Sequence, residues 1–170
     1  MPQSSLTAAL AIRPATPVDV PLILSFIREL AAYERAPEAA VATAEDLLRD
    51  GFGPSPKFRV VIAEWERQPA GFALFFYNYS TWQGRPGLYL EDLFVHPDFR
   101  GRGIGKALLL HLAQIAVREN CGRFVWQVLD WNQPAIDFYK SLGAGVMTEW
   151  LTMRVEGEAL KKLAHLGSQP

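Results

Sequence analysis

Apolar and polar positions change their period several times along the chain, and each change marks an element. Residues Leu10 to Arg13 predict a first strand. Val20, Ile23, Leu24, Ile27 and Leu30 then recur at helical spacing behind the capping residue Thr16 and Pro17, which suits a first helical turn. Thr43 caps a second short helix, predicted to run through Leu48 and to end at Gly51, after a loop rich in Ala, Pro and Glu. Phe58 to Glu64, Gly71 to Tyr79 and Leu88 to Val95 are rich in β-branched and aromatic residues and are separated by turn formers, which predicts three consecutive strands. Ile104, Ala107, Leu108, Leu112, Ile115 and Ala116 return to the helical period and predict a helix ending near Glu119. Phe124 to Leu129 reads as the next strand, and Asn132 caps a helix that starts near Pro134 and stops at Gly143. A final strand is expected around Val146 to Val155, followed by a terminal helix from Glu158 to Leu166.

This order describes an α/β (α+β) chain, a mixed sheet flanked by helices. At 170 residues there is room for one domain with a substantial core, with tails expected at about residues 1–8 and 167–170. Seventeen basic and eighteen acidic residues leave a net charge of −1. No global field then draws the chain to nucleic acid or an anionic membrane, and neither is expected as a partner. Cys121 is the only cysteine, which excludes an internal disulfide and a cysteine-based zinc cluster and suits a small buried hydrophobe. No apolar run approaches the ~20 residues of a membrane span, and no basic stretch leads into an apolar core at the N-terminus, so a cytoplasmic location is expected.

Chemistry concentrates where the strand Leu88 to Val95 passes into the helix opening at Ile104. Gly101, Gly103 and Gly105 let the backbone curl with its N–H groups inward, while Arg100, Arg102 and Lys106 add positive charge where the helix dipole already favours an anion. That arrangement suits a diphosphate, the alternative being a tight strand-to-helix turn that binds nothing. A Walker A loop would need glycine at position 100 and Ser or Thr after Lys106, where the chain has Arg100 and Ala107. A dinucleotide fingerprint starting at Gly101 would need a third glycine where Lys106 stands, although Asp130 could serve as a ribose-binding acid, so a nucleotide-binding module stays open.

Arg100, Gly103 and Gly105 also fit Arg-x-x-Gly-x-Gly, which resembles the acyl-CoA loop of the GNAT N-acetyltransferase superfamily. Further matches follow in order: Ile12-Arg13-Pro14-Ala15, Glu29-Leu30-Ala31, Asp50-Gly51-Phe52-Gly53, Tyr89-Leu90-Glu91-Asp92, and Asp130-Trp131-Asn132-Gln133 followed by Phe138-Tyr139-Lys140. Over nearly its whole length the chain resembles the diamine (spermidine/spermine) and thialysine acetyltransferase branch. The resemblance implies the GNAT fold, with a mostly antiparallel twisted sheet, acetyl-CoA as cosubstrate and no metal.

Transferred by motif position, the resemblance implies that pantetheine lies along the backbone of Leu93, Phe94 and Val95. The diphosphate would rest on Arg100, Gly101, Arg102, Gly103, Ile104, Gly105 and Lys106, and Asn132, Gln133, Pro134, Ala135 and Tyr139 would line the other wall. A primary amine of pKa near ~10 must lose a proton before it attacks a thioester. Glu91 matches the family's general base, working through a water, and Tyr139 its proton donor to the departing thiolate. Read without the resemblance, Glu91 is equally a solvated carboxylate and Tyr139 a packing aromatic three residues after Ile136. A backbone N–H near Phe94 could meet the oxyanion. His96, His111 and His165 are expected to stay out of the chemistry, and no metal cluster can be assembled from them.

Glu34, Glu91 and Asp92, with Asp130 as a further candidate, would attract a flexible cation, and Tyr33, Glu34, Val125, Trp126 and Gln127 match positions that touch substrate in the family. Polyamine-specific members carry an acidic residue before the Trp-x-Gly turn, where this chain has Ser80. The expected acceptor is thus a lysine-like amine or short diamine (thialysine, ornithine or putrescine type), with spermidine or spermine as the alternative. The relatives are intertwined homodimers, which implies a dimer here, with Trp150, Leu151 and the aromatic third strand as candidate interface. A non-catalytic acyl-CoA sensor is the rival from another class: it would keep the glycine loop and need neither Glu91 nor Tyr139.

Overall fold

The computed structural model describes residues 9–167, which fall into two compact units meeting after Gln127. The expected tail residues 1–8 and 168–170 lie outside the described residues.

The first unit is a five-stranded sheet of β1 (Leu10–Pro14), β2 (Arg59–Trp65), β3 (Gln68–Ser80), β4 (Arg85–Val95) and β5 (Arg123–Trp126), ordered as in the chain. The first three pairings are antiparallel and β4 with β5 is parallel, as expected of the mixed sheet. Helix α1 (Val20–Tyr33), helix α2 (Ala44–Phe52) and helix α3 (Ile104–Arg118) complete the unit. Val20, Ile23 and Phe26 of α1 and Leu47 of α2 pack with Val60, Ile62, Phe72, Leu74 and Phe94 on one sheet face. Strand alternation sends Val61, Ala63, Ala73 and Phe75, all buried, to the opposite face, where α3 buries Ile104, Leu108, Leu112 and Ile115.

Local chemistry explains most boundaries. Thr16 and Pro17 open a single 3-10 turn, Pro17–Asp19, and the α-helix begins only at Val20. The Asp19 carboxylate closes that turn by accepting the Thr16 N–H and hydroxyl, and it holds Arg13 of β1 at 2.9 Å through both oxygens. Thr43 caps α2, accepting the Asp46 N–H. Gly51 does not end α2: it lies inside, because a Cβ there would stand 2.5 Å from the Phe58 ring, so its role is close packing. The β2–β3 turn places Glu66 and Arg67 at φ 50° and 67°, the left-handed pair of a tight hairpin, without a glycine to announce it.

The second unit holds helix α4 (Gln133–Ser141) and helix α5 (Gly157–Leu166). The strand expected over Val146 to Val155 does not form: the described chain there is irregular, with Met147, Leu151 and Met153 61%, 85% and 88% exposed. A strand requires a neighbour to satisfy its backbone, and the pattern of side chains alone cannot supply one. The strand expected from Phe124 to Leu129 likewise stops at Trp126.

Candidate active site

Strand β4 carries the centre of the site. Its pairing with β3 matches Leu74 to Asp92 and then Phe75 to Leu90, so Glu91 is an extra residue, a β-bulge. A bulge suspends the alternation of side chains and re-aims them locally. The consequence is electrostatic: burial, then the charges of Glu91 and Glu34, push the partly buried Asp92 carboxyl up to about 6. Desolvation also raises the Glu34 carboxyl. Two of the carboxylates expected to meet a cationic acceptor, Glu91 and Glu34, thus act on a third, Asp92.

Strand β5 pairs with β4 only from Gly87↔Arg123 to Leu90↔Trp126. Beyond Leu90 the β5 side of β4 has no strand partner among the described residues. The His96 N–H donates to the Ala70 carbonyl on the β3 side, and alternation therefore directs Phe94 to β3 as well and turns Leu93 and Val95 outward. Phe94's own N–H is directed to the sheet, which leaves the N–H groups of Leu93 and Val95 as the outward donors on this edge. Trp126 lies beside Leu90 in register, one residue from the bulge, with Val125 beside Tyr89 and exposed Gln127 just past the strand.

The turn after β4 has the form its glycines predict. Gly101 and Gly103 hold φ of 75° and 77°, a region that disfavours side chains, and no heavy atom lies within 4 Å of where either Cβ would be. Gly103 caps α3, and the Ala107 N–H donates to the Gly103 carbonyl to close the first turn of the helix. The N–H groups of Ile104, Gly105 and Lys106 precede it and have no acceptor within the helix. An open loop surface over a helix N-terminus is the fit a diphosphate requires.

Both loop arginines lie over aromatic rings. The Arg100 guanidinium is 5.1 Å from the Tyr33 ring centroid and 5.9 Å from that of Phe94, and its Nε donates to the outward Val95 carbonyl at 3.0 Å. Arg102 lies 5.3 Å over Trp65 and 5.6 Å over Phe99. Trp65 and the bulge are what residue-by-residue reading missed. The adjacent polar pair Glu91-Asp92 inside an apolar strand was a signal for the bulge, whereas nothing local announces Trp65.

In the second unit, the Asn132 side chain caps α4 by accepting the Ala135 N–H at 3.4 Å, while Gln133 and Pro134 open the helix and Tyr139 stands half-buried near its end beside Phe138. Among residues set aside, His96 accepts the Asp98 N–H and faces Glu29 at 3.7 Å, and burial lowers the His111 pKa. Ser80 is buried, and its hydroxyl accepts the Gln83 N–H in the β3–β4 turn.

The profile described as Acetyltransferase (GNAT) family matches residues 24–144, more than half of the chain. The chain belongs to the GNAT acetyltransferase family. Enzymes of this family are N-acetyltransferases that use acetyl-CoA as cosubstrate. A thialysine N-epsilon-acetyltransferase of Sus scrofa is 42% identical over 168 residues, covering 92% of this chain and 98% of its own. The spermidine/spermine N(1)-acetyltransferase-like protein 1 of Homo sapiens is 40% identical over 163 residues, 90% of this chain but 23% of its own length. Among solved structures, an integron cassette protein from V. cholerae superposes with a TM-score of 0.78 at 31% identity, over 92% of this chain and 98% of that one.

Proposed function

We propose that this enzyme acetylates a primary amine of a small lysine-like or short diamine acceptor by direct attack on the acetyl-CoA thioester. One observation carries the reading: β5 stops opposite Leu90, leaving the outer edge of Leu93 to Val95 open beside bulged Glu91 and leading into the glycine loop. Acetyl-CoA supplies the thioester carbonyl. Glu91 takes the ammonium proton through a water, the outward N–H of Leu93 or Val95 meets the oxyanion, and Tyr139, from its motif position, returns a proton to the departing thiolate. Asp92 and Glu34 hold the distal charge of the acceptor, with Tyr33, Val125, Trp126 and Gln127 around it. Arg100 to Lys106 take the diphosphate, and Asn132, Gln133, Pro134 and Ala135 are assigned to the cofactor by motif position alone.

The thialysine enzymes, similar over almost their full length, support the lysine-like class, and the spermidine/spermine-like relative keeps polyamines as the second reading. A homodimer in the cytoplasm fits the apolar surface at Met147, Trp150, Leu151 and Met153, which a second copy would cover, and the lone Cys121, which no internal disulfide can use. No helix of the described residues is long and apolar enough to cross a membrane.

The test is acetyl-CoA turnover with thialysine, ornithine, putrescine and spermidine, repeated with Tyr139→Phe. Thialysine or ornithine is expected to lead, and the variant to lose about 100-fold in kcat with KM little changed. A clear spermidine preference overturns the substrate ranking. Undiminished kcat in the variant removes Tyr139 from the mechanism.

A further inference from the structure

Arg100 makes three contacts that a residue serving only a phosphate would not need. Its guanidinium lies over the ring of Tyr33, the last residue of α1, and over Phe94 of β4, and its Nε is bonded to the Val95 carbonyl at the open edge of β4. Immediately after Tyr33, the chain turns at Glu34 and enters the left-handed region at Arg35, φ 64°, so the end of α1 is sharply defined. Glu34 is also one of the two charges that act on Asp92. One side chain thus ties the glycine loop, the edge of β4 and the carboxylate-bearing end of α1 together.

We infer that Arg100 is a positioning residue that couples the two substrate sites: by clasping the face of Tyr33 it makes acyl-CoA loop occupancy and acceptor-amine binding depend on each other. The inference rests on the proposed acetyl transfer to an amine. Contact with the two rings and the bond from Nε to the Val95 carbonyl restrain the guanidinium and leave its terminal N–H groups for phosphate oxygens. A guanidinium so restrained is prepared for the diphosphate. An arginine so fixed in turn holds the end of α1, and with it Tyr33 and Glu34, where the acceptor binds. An Arg over an aromatic face at an exposed site contributes about a 2- to 5-fold effect on an equilibrium.

The experiment compares wild type, Tyr33→Leu, Tyr33→Phe, Arg100→Lys and the Tyr33→Leu/Arg100→Lys double variant. Calorimetry with CoA alone gives the cofactor Kd, and steady-state turnover with thialysine gives KM and kcat. Tyr33→Leu is expected to weaken CoA binding about 2- to 5-fold although Tyr33 belongs to the acceptor side, and Tyr33→Phe, which keeps the ring, is expected to weaken CoA binding less than Tyr33→Leu does. Arg100→Lys is expected to raise the thialysine KM by a similar factor with little change in kcat. The double variant is expected to bind CoA no more weakly than Arg100→Lys alone. Unchanged CoA affinity in Tyr33→Leu, equal losses in Tyr33→Phe and Tyr33→Leu, or additive losses in the double variant would overturn the coupling. Failure of the functional reading looks different: wild type would bind CoA, with the Tyr33 effect intact, yet acetylate none of the amines.

Discussion

Asp92→Asn separates what the site needs from what the fold needs. Asp92 is held with its carboxyl raised from the ordinary 3.8 to about 6 by burial, Glu91 and Glu34. Its folded pKa lies above its unfolded one, so between these values the native state holds more protons, and stability falls as pH rises from about 4 to about 6 and then levels off. The full cost of the ionised form at pH 8 is roughly (6 − 3.8) × 1.36, or about 3 kcal/mol. Asparagine removes the charge at nearly constant shape. Allowing for relaxation of the neighbouring carboxylates, the variant is expected to be more stable at pH 8 by about 1 to 3 kcal/mol, on the order of 5 °C in Tm for a chain of this size. The advantage should shrink toward zero near pH 4, where both side chains are neutral. Activity should move oppositely: losing a charge-assisted contact to an ammonium, worth about 1.5 to 3 kcal/mol, lowers kcat/KM for thialysine about 10- to 150-fold. Thermal melts from pH 4 to 8 and steady-state kinetics measure both. A variant less stable than wild type at pH 8, or a Tm difference independent of pH, would refute the electrostatic reasoning. Wild-type kinetics would remove Asp92 from the acceptor site.

Asp19→Asn strikes the brace between β1 and α1, where a carboxylate with a 9% exposed side chain grips Arg13 through two bonds and Thr16 through two more. The expected cost is about 2 kcal/mol in urea unfolding at pH 7, below the usual range for breaking a buried pair because Arg13 is 39% exposed. Arg13 holds the Asp19 carboxyl well below its ordinary value, so its contribution is complete above about pH 4, is lost as pH falls further, and the variant and wild type should converge in acid. Gly103→Ala places a side chain at φ 77° in the cradle and should weaken CoA binding about 5-fold by calorimetry, with about 1 kcal/mol lost from folding, because the strain falls where the loop meets the helix.

The chain announced its local devices directly. Thr16, Thr43 and Asn132 sit at helix starts, and glycines at 101 and 103 occupy left-handed positions, because caps and turns depend on a few adjacent residues and their steric limits. The meander, the helix behind the glycine loop and the family motifs were legible for the same reason. The bulge at Glu91 exists only relative to β3, since an extra residue can be counted only against a partner strand. The early end of β5, the absence of a strand at Val146 to Val155 and the placement of Arg100 over Tyr33 also depend on segments distant in sequence. Sequence determined which chemical groups are available and which local shapes they prefer, and tertiary structure decided which backbone edges stay open and which charges meet, because those depend on pairing and burial between distant segments.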